Sequence, residues 1–273
     1  CRIVIVHNES DKKYKEWMEW FDHINQTFLS KFSVVTYPAS KFWPENIPEH
    51  LHYELELGGW VSQQMLKILG HSVIKTEEYL ILDSKNFFFR PYNIDNTPPC
   101  NAHGNWTLEG VTEWTKLSCN KLGLIYPGHH LKLRPNVTPY IFKTNVARRL
   151  VKYFSSNLNF YCWFAETALL PQISPAEFVL YDLFELRLRQ RVIDDNLPIT
   201  YSTIWRHHIL DEGKTPKQIA NDIIQEYNDN VKPCPISGFH SGVDPLLTMK
   251  DVEDILTILG VDFIMPTNSL GPF

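Results

Sequence analysis

The sequence has 273 residues, of which 44% are hydrophobic and 21% are charged, and its formal net charge is -5 at pH 7. This composition is typical of a globular protein with a sizeable core, and it excludes disordered and fibrous classes. The negative charge gives no reason to expect binding to nucleic acid. No apolar run approaches the roughly 20 residues of a membrane helix, so we expect no membrane insertion.

The N-terminal region predicts a βαβ unit. Ile3–Val6 is a β-branched run typical of a buried strand, and apolar residues recur at helical spacing from Tyr14 to Phe28. Residues 33–37 then have the composition of a second strand. Two strands joined by a helix are expected to lie parallel in one sheet.

The same alternation continues along the chain. A helix is predicted over Trp60–Leu69, closed by Gly70 in the left-handed conformation that ends many helices. Glu78–Asp83 predicts another buried strand. The sequence therefore predicts an α/β fold with a mixed, mostly parallel sheet flanked by helices.

The middle of the chain is less regular. Proline and glycine residues punctuate 87–126, which predicts loops and a short antiparallel strand. Helical spacing returns over 144–154, whereas the aromatic run 160–164 fits either a strand or a buried turn.

Three later helices have clear starting signals. Ser174–Glu177, Thr215–Gln218 and Thr248–Asp251 each place a hydroxyl at the N-cap and an acid or amide three residues later. The last helix is expected to stop at Gly260, before a C-terminal tail. Because no repeat or long linker divides the chain, we expect a single domain over residues 1–273.

Polar residues follow two of the predicted strands. His7, Asn8, Glu9 and Asp11 follow the first strand, and Asp83 opens a polar segment after the central one. Ligands of open α/β sheets bind beyond the carboxyl ends of the strands, so both segments are candidate binding sites. The alternative is that these side chains satisfy the backbone of turns.

Four blocks of the chain, over roughly its first two-thirds, resemble GT-A-fold glycosyltransferases, in particular a group of bacterial and viral sugar transferases. These blocks are Gly59–Lys67, Glu78–Pro91, Thr138–Lys143 and Ser174–Tyr181. The resemblance implies a GT-A-like domain with a nucleotide-sugar-binding half over 1–126, an acceptor-side half over 127–260 and a tail over 261–273. It also implies a nucleoside diphosphate sugar as donor and a glycan hydroxyl as acceptor.

The resemblance further implies a role for Asp83. Enzymes of this fold commonly hold Mn²⁺ or Mg²⁺ on the donor diphosphate with an Asp-x-Asp motif, where this chain has Asp83-Ser84-Lys85. Either the Lys85 ammonium replaces the metal charge, or Asp83 binds a divalent ion that another group completes. Several GT-A families use a C-terminal histidine at this point, and His240 is the candidate here.

Other candidate residues have structural alternatives of similar weight. Gln63 and Gln64 could bind donor hydroxyls or a base edge, although adjacent helical positions point about 100° apart and only one is expected to face a cleft. Arg90 could reach a phosphate or simply end a strand. Glu177 is the candidate general base of an inverting transfer, or it caps its helix together with Ser174.

Together these features predict a glycosyltransferase, with two alternatives. A nucleotidyltransferase would also cradle a nucleotide on an α/β sheet, and a non-catalytic glycan-binding protein could retain the scaffold after losing the second aspartate. The five scattered cysteines form no disulfide or zinc pattern. This cysteine pattern favours a reducing compartment, and we therefore expect a soluble, cytoplasmic protein.

Overall fold

The computed structural model forms two compact units, each assembled from three separate stretches of chain. Unit 1 comprises residues 1–77, 111–126 and 143–188, and unit 2 comprises residues 78–110, 127–142 and 189–273. The predicted division into halves at residue 126 stays a prediction. The structure describes residues 2–7, 15, 18–19, 22, 33–51, 59–83, 86–91, 108–126, 138, 140–168, 175–189, 203–204, 212–229, 235–239 and 246–261.

Helices dominate the described part of unit 1, which also contains two strands. Its elements are β1 (Arg2–His7), β2 (Ser33–Pro38), α1 (Gly59–Leu69), α2 (Leu108–Leu122), α3 (Thr144–Tyr153), α4 (Asn157–Ala168) and α5 (Glu177–Arg189). The start of α2 and the end of α5 extend beyond the bounds of the unit.

Strands are more frequent in unit 2. Its elements are β3 (Glu78–Ile81), β4 (Asn86–Phe88), β5 (Tyr140–Lys143, whose last residue belongs to unit 1), β6 (Thr203–Ile204), α6 (Pro216–Asp229), β7 (Ile236–Phe239) and α7 (Met249–Leu259).

The βαβ unit predicted at the N-terminus has the expected strand pairing. β1 and β2 pair in parallel, with Arg2 opposite Ser33 and His7 opposite Pro38. Lys15, Met18, Glu19 and Asp22 between them are helical, and the other residues of the helix predicted over 14–28 lie outside the described residues.

Aromatic side chains form much of the core of unit 1. The ring of Phe154, directly after α3, lies 5.2 Å from that of Phe160 and 5.1 Å from that of Trp163 on α4. Residues 160–164 lie within α4, so both predictions made for them, a strand and a buried turn, are wrong. A run of aromatic residues can bury its rings in a helix as well as in a strand, because helical residues three or four positions apart lie on one face.

Unit 2 has a separate core between α6, α7 and the sheet of β4, β7 and β6. Strand β4 runs antiparallel to β7, whereas β6 runs parallel to it. The short antiparallel strand predicted within residues 87–126 is thus confirmed, and it begins one residue earlier, at Asn86. The buried residues of this core are Phe89, Ile219, Ala220, Ile223, Ile255 and Leu259.

Strands β3 and β5 form a third sheet. Before β3, the Glu77 carbonyl accepts a hydrogen bond from the Thr144 N–H, which follows β5. After β3, the Asp83 side chain meets Thr138, which precedes β5. The start of each strand therefore lies beside the end of the other, so the two strands are antiparallel.

Two predicted helix starts and one predicted stop are confirmed. Thr215 and Gln218 bond reciprocally at the start of α6, and Thr248 and Asp251 form a capping box at the start of α7. Gly260 ends α7 with φ of 71°, in the left-handed region. These signals act over four residues, which makes them readable from sequence.

Three local predictions are wrong. Gly70 is not left-handed, because the chain continues into a 3₁₀ turn over Gly70–Ser72, where the His71 Nδ1 lies 2.9 Å from the Ile68 carbonyl. Helix α2 lies in a region predicted to be loop and strand. Helix α5 begins at Glu177, two residues after the predicted first helical position; Ser174 lies outside the described residues.

The α/β class is confirmed, with the strands divided among three small sheets in the described ranges rather than joined in one mostly parallel sheet. Among the described helices, none combines the length and the apolar composition that a membrane span needs. Cys119 and Cys162, both described, are free thiols.

Candidate functional site

Asp83 lies two residues beyond β3 and is held on three sides within unit 2. Its carboxylate Oδ2 accepts a hydrogen bond of 2.9 Å from the Thr138 hydroxyl. Its backbone N–H donates to Asn86 Oδ1 over 2.7 Å, and its carbonyl accepts from the Asn86 N–H over 2.9 Å. The Thr138 hydroxyl thus orients the carboxylate, while Asn86 holds the backbone that carries it, an arrangement that suits a binding site.

Strand β4 connects this loop to the core of unit 2. Phe87 packs against that core, with its ring 5.5 Å from the ring of Phe239. Side chains alternate along a strand, so Asn86 lies on the opposite face of β4 from Phe87. The amide that holds Asp83 is thus carried by a strand whose other face is anchored in the core.

Glu177, the predicted base, forms a buried ion pair in unit 1. Its Oε1 lies 3.0 Å from the Lys67 Nζ, and the two side chains are only 1% and 9% exposed. The same ammonium lies 4.9 Å from the centroid of the Phe178 ring, a cation–π distance. The carboxylate therefore joins the start of α5 to the end of α1.

The predicted amide pair lies on the helix that also carries Lys67. Gln64 is buried and Gln63 is partly exposed, so the two side chains differ in environment, as their angular separation on α1 predicts. Lys67 is three residues after Gln64, on neighbouring turns of one helix face. That spacing was the available signal for Lys67, but its partner Glu177 is 110 residues away in sequence.

A second ion pair of α5 involves the last residue of β5. The Lys143 Nζ lies 3.2 Å from Glu185 Oε1, and the Lys143 backbone N–H donates to the buried hydroxyl of Tyr181 over 2.8 Å. Three positions along α5 are thus tied by polar contacts to elements distant in sequence. Such contacts fix the helix in place and in rotation about its axis.

Arg90 contacts the end of α7. Its Nη1 donates to the Phe89 carbonyl over 2.6 Å and to the Leu259 carbonyl over 3.0 Å. Carbonyls of the last helical turn lack backbone partners, so a guanidinium there stabilises the helix end. This contact gives Arg90 a structural role in unit 2, and its predicted phosphate contact stays a prediction.

Of the residues predicted after the first strand, only His7 is described, as the last residue of β1. Asn8, Glu9 and Asp11 lie outside the described residues, as do Lys85 and His240. The structure thus groups Asp83 with Thr138 and Asn86 in unit 2, and it groups Glu177 with Lys67 in unit 1.

Within the described ranges, no group of three or more His, Cys, Asp or Glu side chains is close enough to hold a metal ion. Asp83 supplies one hard carboxylate, which suits Mg²⁺ or Mn²⁺ because such ions are often held by one or two carboxylates together with substrate phosphates.

The chain belongs to a family of unknown function, DUF6492, whose profile matches residues 1–217. That match covers both the Asp83 loop and the Lys67–Glu177 ion pair. Comparison with curated proteins and with solved structures finds no match in either case.

Proposed function

We propose that this member of the DUF6492 family is a glycosyltransferase that moves a sugar from a nucleoside diphosphate sugar to a hydroxyl of a glycan. The observation that supports the proposal most is the fixed Asp83 carboxylate at the end of β3. The chain resembles GT-A transferases there, and these use an acid after a strand to handle the donor diphosphate. The GT-A arrangement is part of the proposal, supported by the parallel β1–β2 pair and the helical residues between the strands.

The reaction would exchange one bond at the anomeric carbon for another. The acceptor oxygen forms a bond to that carbon while the bond to the diphosphate oxygen breaks, and the nucleoside diphosphate leaves with the electron pair. The acceptor's proton passes to a general base. Because negative charge grows on the leaving diphosphate, the site must supply a compensating charge there.

Asp83 would act at the diphosphate end of the donor. Its carboxylate cannot itself neutralise phosphate, so it acts through a divalent cation bound with the donor or by orienting a neighbouring positive group such as Lys85. When bound, the cation would supply positive charge to the two phosphates. Asp83 contributes a fixed oxygen ligand and, through Asn86, a rigid loop to carry it.

The base role predicted for Glu177 stays a prediction. Its carboxylate shares a 3.0 Å contact with the Lys67 ammonium and is 1% exposed. To accept a proton from an acceptor hydroxyl, it would have to share its oxygens with Lys67 or exchange that partner during the reaction. The ion pair alone accounts for its burial.

A ligand screen tests the proposal. Melting temperatures are measured with UDP, GDP, ADP and dTDP, and with nucleotide sugars of each, in the presence of Mn²⁺, Mg²⁺ or EDTA. A ligand that binds the native state alone raises its melting temperature. We expect ligands with one nucleotide base to raise the melting temperature. We also expect the chain to release the nucleoside diphosphate of that base from its nucleotide sugar when a glycan acceptor is present.

Two variants make the result specific. Asp83→Ala should lose the nucleotide-dependent shift and the transfer, whereas Asp229→Asn, an exposed aspartate at the end of α6, should keep both. Unchanged transfer by Asp83→Ala would refute the diphosphate role. A chain that binds glycan but neither binds nor cleaves any nucleotide sugar would be a glycan-binding protein instead.

A further inference from the structure

We propose that Thr138 is a positioning residue for Asp83 and, through it, for the diphosphate end of the donor, an inference that rests on the function proposed above. The Thr138 hydroxyl donates to Asp83 Oδ2 over 2.9 Å, and Thr138 is only 5% exposed. A threonine hydroxyl has one proton to donate, and this one is given to a carboxylate. Such charge-assisted hydrogen bonds are stronger than those between neutral groups.

The position of Thr138 follows from the pairing of β3 with β5. The Thr144 N–H bonds to the Glu77 carbonyl at one end of this antiparallel pair. Asp83 is six residues after Glu77, and Thr138 is six residues before Thr144. The two residues therefore occupy facing positions in the same register, and their side chains continue the strand pairing beyond the end of β3.

This placement restrains the carboxylate through two independent supports. Asn86 fixes the backbone of Asp83, with contacts of 2.7 and 2.9 Å to its N–H and carbonyl. The backbone contacts leave the carboxylate free to rotate about its last side-chain bond, but the hydroxyl of Thr138 opposes that rotation. Thr138 comes from a segment 55 residues away in sequence, so the Asp83 loop cannot shift without breaking this bond.

The departure from Asp-x-Asp makes this support more important. With lysine at position 85, one carboxylate of the motif remains to meet the cation or the positive group at the diphosphate. The orientation of that single carboxylate then decides the geometry of the contact. Groups that orient a metal-binding side chain typically change metal affinity or activity about 10–100-fold when removed.

The test compares two substitutions at one position. Thr138→Val keeps the shape and removes the donor, whereas Thr138→Ser keeps the hydroxyl and loses a methyl group. The probe is Mn²⁺ together with whichever of UDP, GDP, ADP and dTDP the wild-type chain binds, with binding followed by calorimetry and by the electron paramagnetic resonance signal of free Mn²⁺. We expect Thr138→Val to weaken binding about 10–100-fold and Thr138→Ser to bind like wild type.

A double-mutant cycle identifies the route of the effect. If Thr138 acts through Asp83, Thr138→Val should change residual nucleotide binding no further in an Asp83→Asn background. If Thr138→Val does not fold, as judged by its unfolding transition, Thr138→Ala also removes the hydroxyl and should weaken binding in the same way; unchanged binding by Thr138→Ala would overturn the positioning role.

The outcomes separate the two proposals. Wild-type binding that Thr138→Val leaves unchanged overturns the positioning role and leaves the proposed function standing. An equal loss in the Asp83→Asn background would likewise overturn it, because Thr138 would then act independently of Asp83. A wild-type chain that neither binds nucleoside diphosphates nor transfers a sugar overturns both.

Discussion

The Lys67 ammonium and the Glu177 carboxylate form a 3.0 Å ion pair that joins α1 to α5 inside unit 1. Buried charges are costly to remove from water, and each partner here offsets the cost of burying the other. As a general base, Glu177 has to take up a proton during transfer. As a structural anchor, it only has to keep its contact with Lys67.

Loss of the ammonium should be strongly destabilising. Lys67→Met leaves the Glu177 carboxylate buried without its ammonium partner, and breaking a buried pair in this way typically costs about 3–5 kcal/mol. Urea unfolding followed by circular dichroism measures this change in the free energy of unfolding.

The chain supplies a matched control for that experiment. Lys116 and Glu113 form a shorter contact of 2.7 Å, but their side chains are 49% and 48% exposed. Lys116→Met should cost far less than Lys67→Met, because exposed ion pairs are screened by water and contribute little to stability. Equal costs at the two sites would contradict the burial argument.

Glu177→Gln tests the base role directly. The amide keeps the shape and can still accept from Lys67, but it cannot take a proton as a carboxylate does. If Glu177 is the base, transfer measured as nucleoside diphosphate release should fall about 100-fold or more while nucleotide binding is retained. Full transfer activity in this variant would assign Glu177 to the ion pair alone.

His71 should make stability sensitive to mild acid. Burial lowers its pKa below the ordinary 6.5, Arg148 lowers it further, and the contact with the Ile68 carbonyl acts in the opposite direction. Below pH 6.5 the unfolded chain therefore binds a proton that the native chain resists, so stability falls as pH falls towards the native pKa.

A substitution isolates this contribution. In His71→Asn, which has no titrating group, the loss of unfolding free energy between pH 7.5 and 5.5 should be smaller than in the wild-type chain. Denaturant unfolding at both pH values measures the difference. An identical pH dependence in the two proteins would show that another group is responsible.

The capping box of α7 should contribute to stability and to its acid dependence. Thr248→Ala removes the hydroxyl that accepts from the Asp251 N–H, and such caps are typically worth about 1 kcal/mol. The bonds from Thr248 also lower the pKa of Asp251, so this contribution is present above its ordinary value of 3.8 and is lost as pH falls below it.

Thr257 on the same helix serves as the control, since it is exposed and its contact with the Gly260 N–H is made by its backbone carbonyl, which alanine retains. Thr257→Ala should change the unfolding free energy by less than about 0.5 kcal/mol. A Thr248→Ala variant as stable as Thr257→Ala would contradict the capping role. Thermal unfolding of both variants at pH 7 gives the comparison.

Local signals in the sequence were enough to predict some elements. The starts of α6 and α7 depend on contacts across three residues, at Thr215 and Thr248, and the parallel β1–β2 pair follows from the order of strand, helix and strand. Helix α2 is not predicted, because the prolines and glycines between residues 91 and 110 indicate turns up to its first residues. The aromatic run in α4 was misread because strand and helix can both bury such rings.

At the candidate site, the sequence predicts single residues but not the contacts between residues that are distant in sequence. Asp83 was predicted from its place after a strand, but Thr138, which holds it, is 55 residues away. Lys67 ends the Gly59–Lys67 block, yet only the fold reveals its partner, which is 110 residues away in sequence. Pairings over such distances depend on strand register and helix packing, which no short motif encodes.

The interleaving of the two compact units constrains how the chain can be made and cut. The chain passes from one unit to the other at residues 77/78, 110/111, 126/127, 142/143 and 188/189. No single cleavage releases either unit intact, and unit 1 cannot be completed on the ribosome until residue 188 has emerged. Truncated halves of this protein are therefore unsuitable for locating its activity, which has to be mapped by point substitutions in the whole chain.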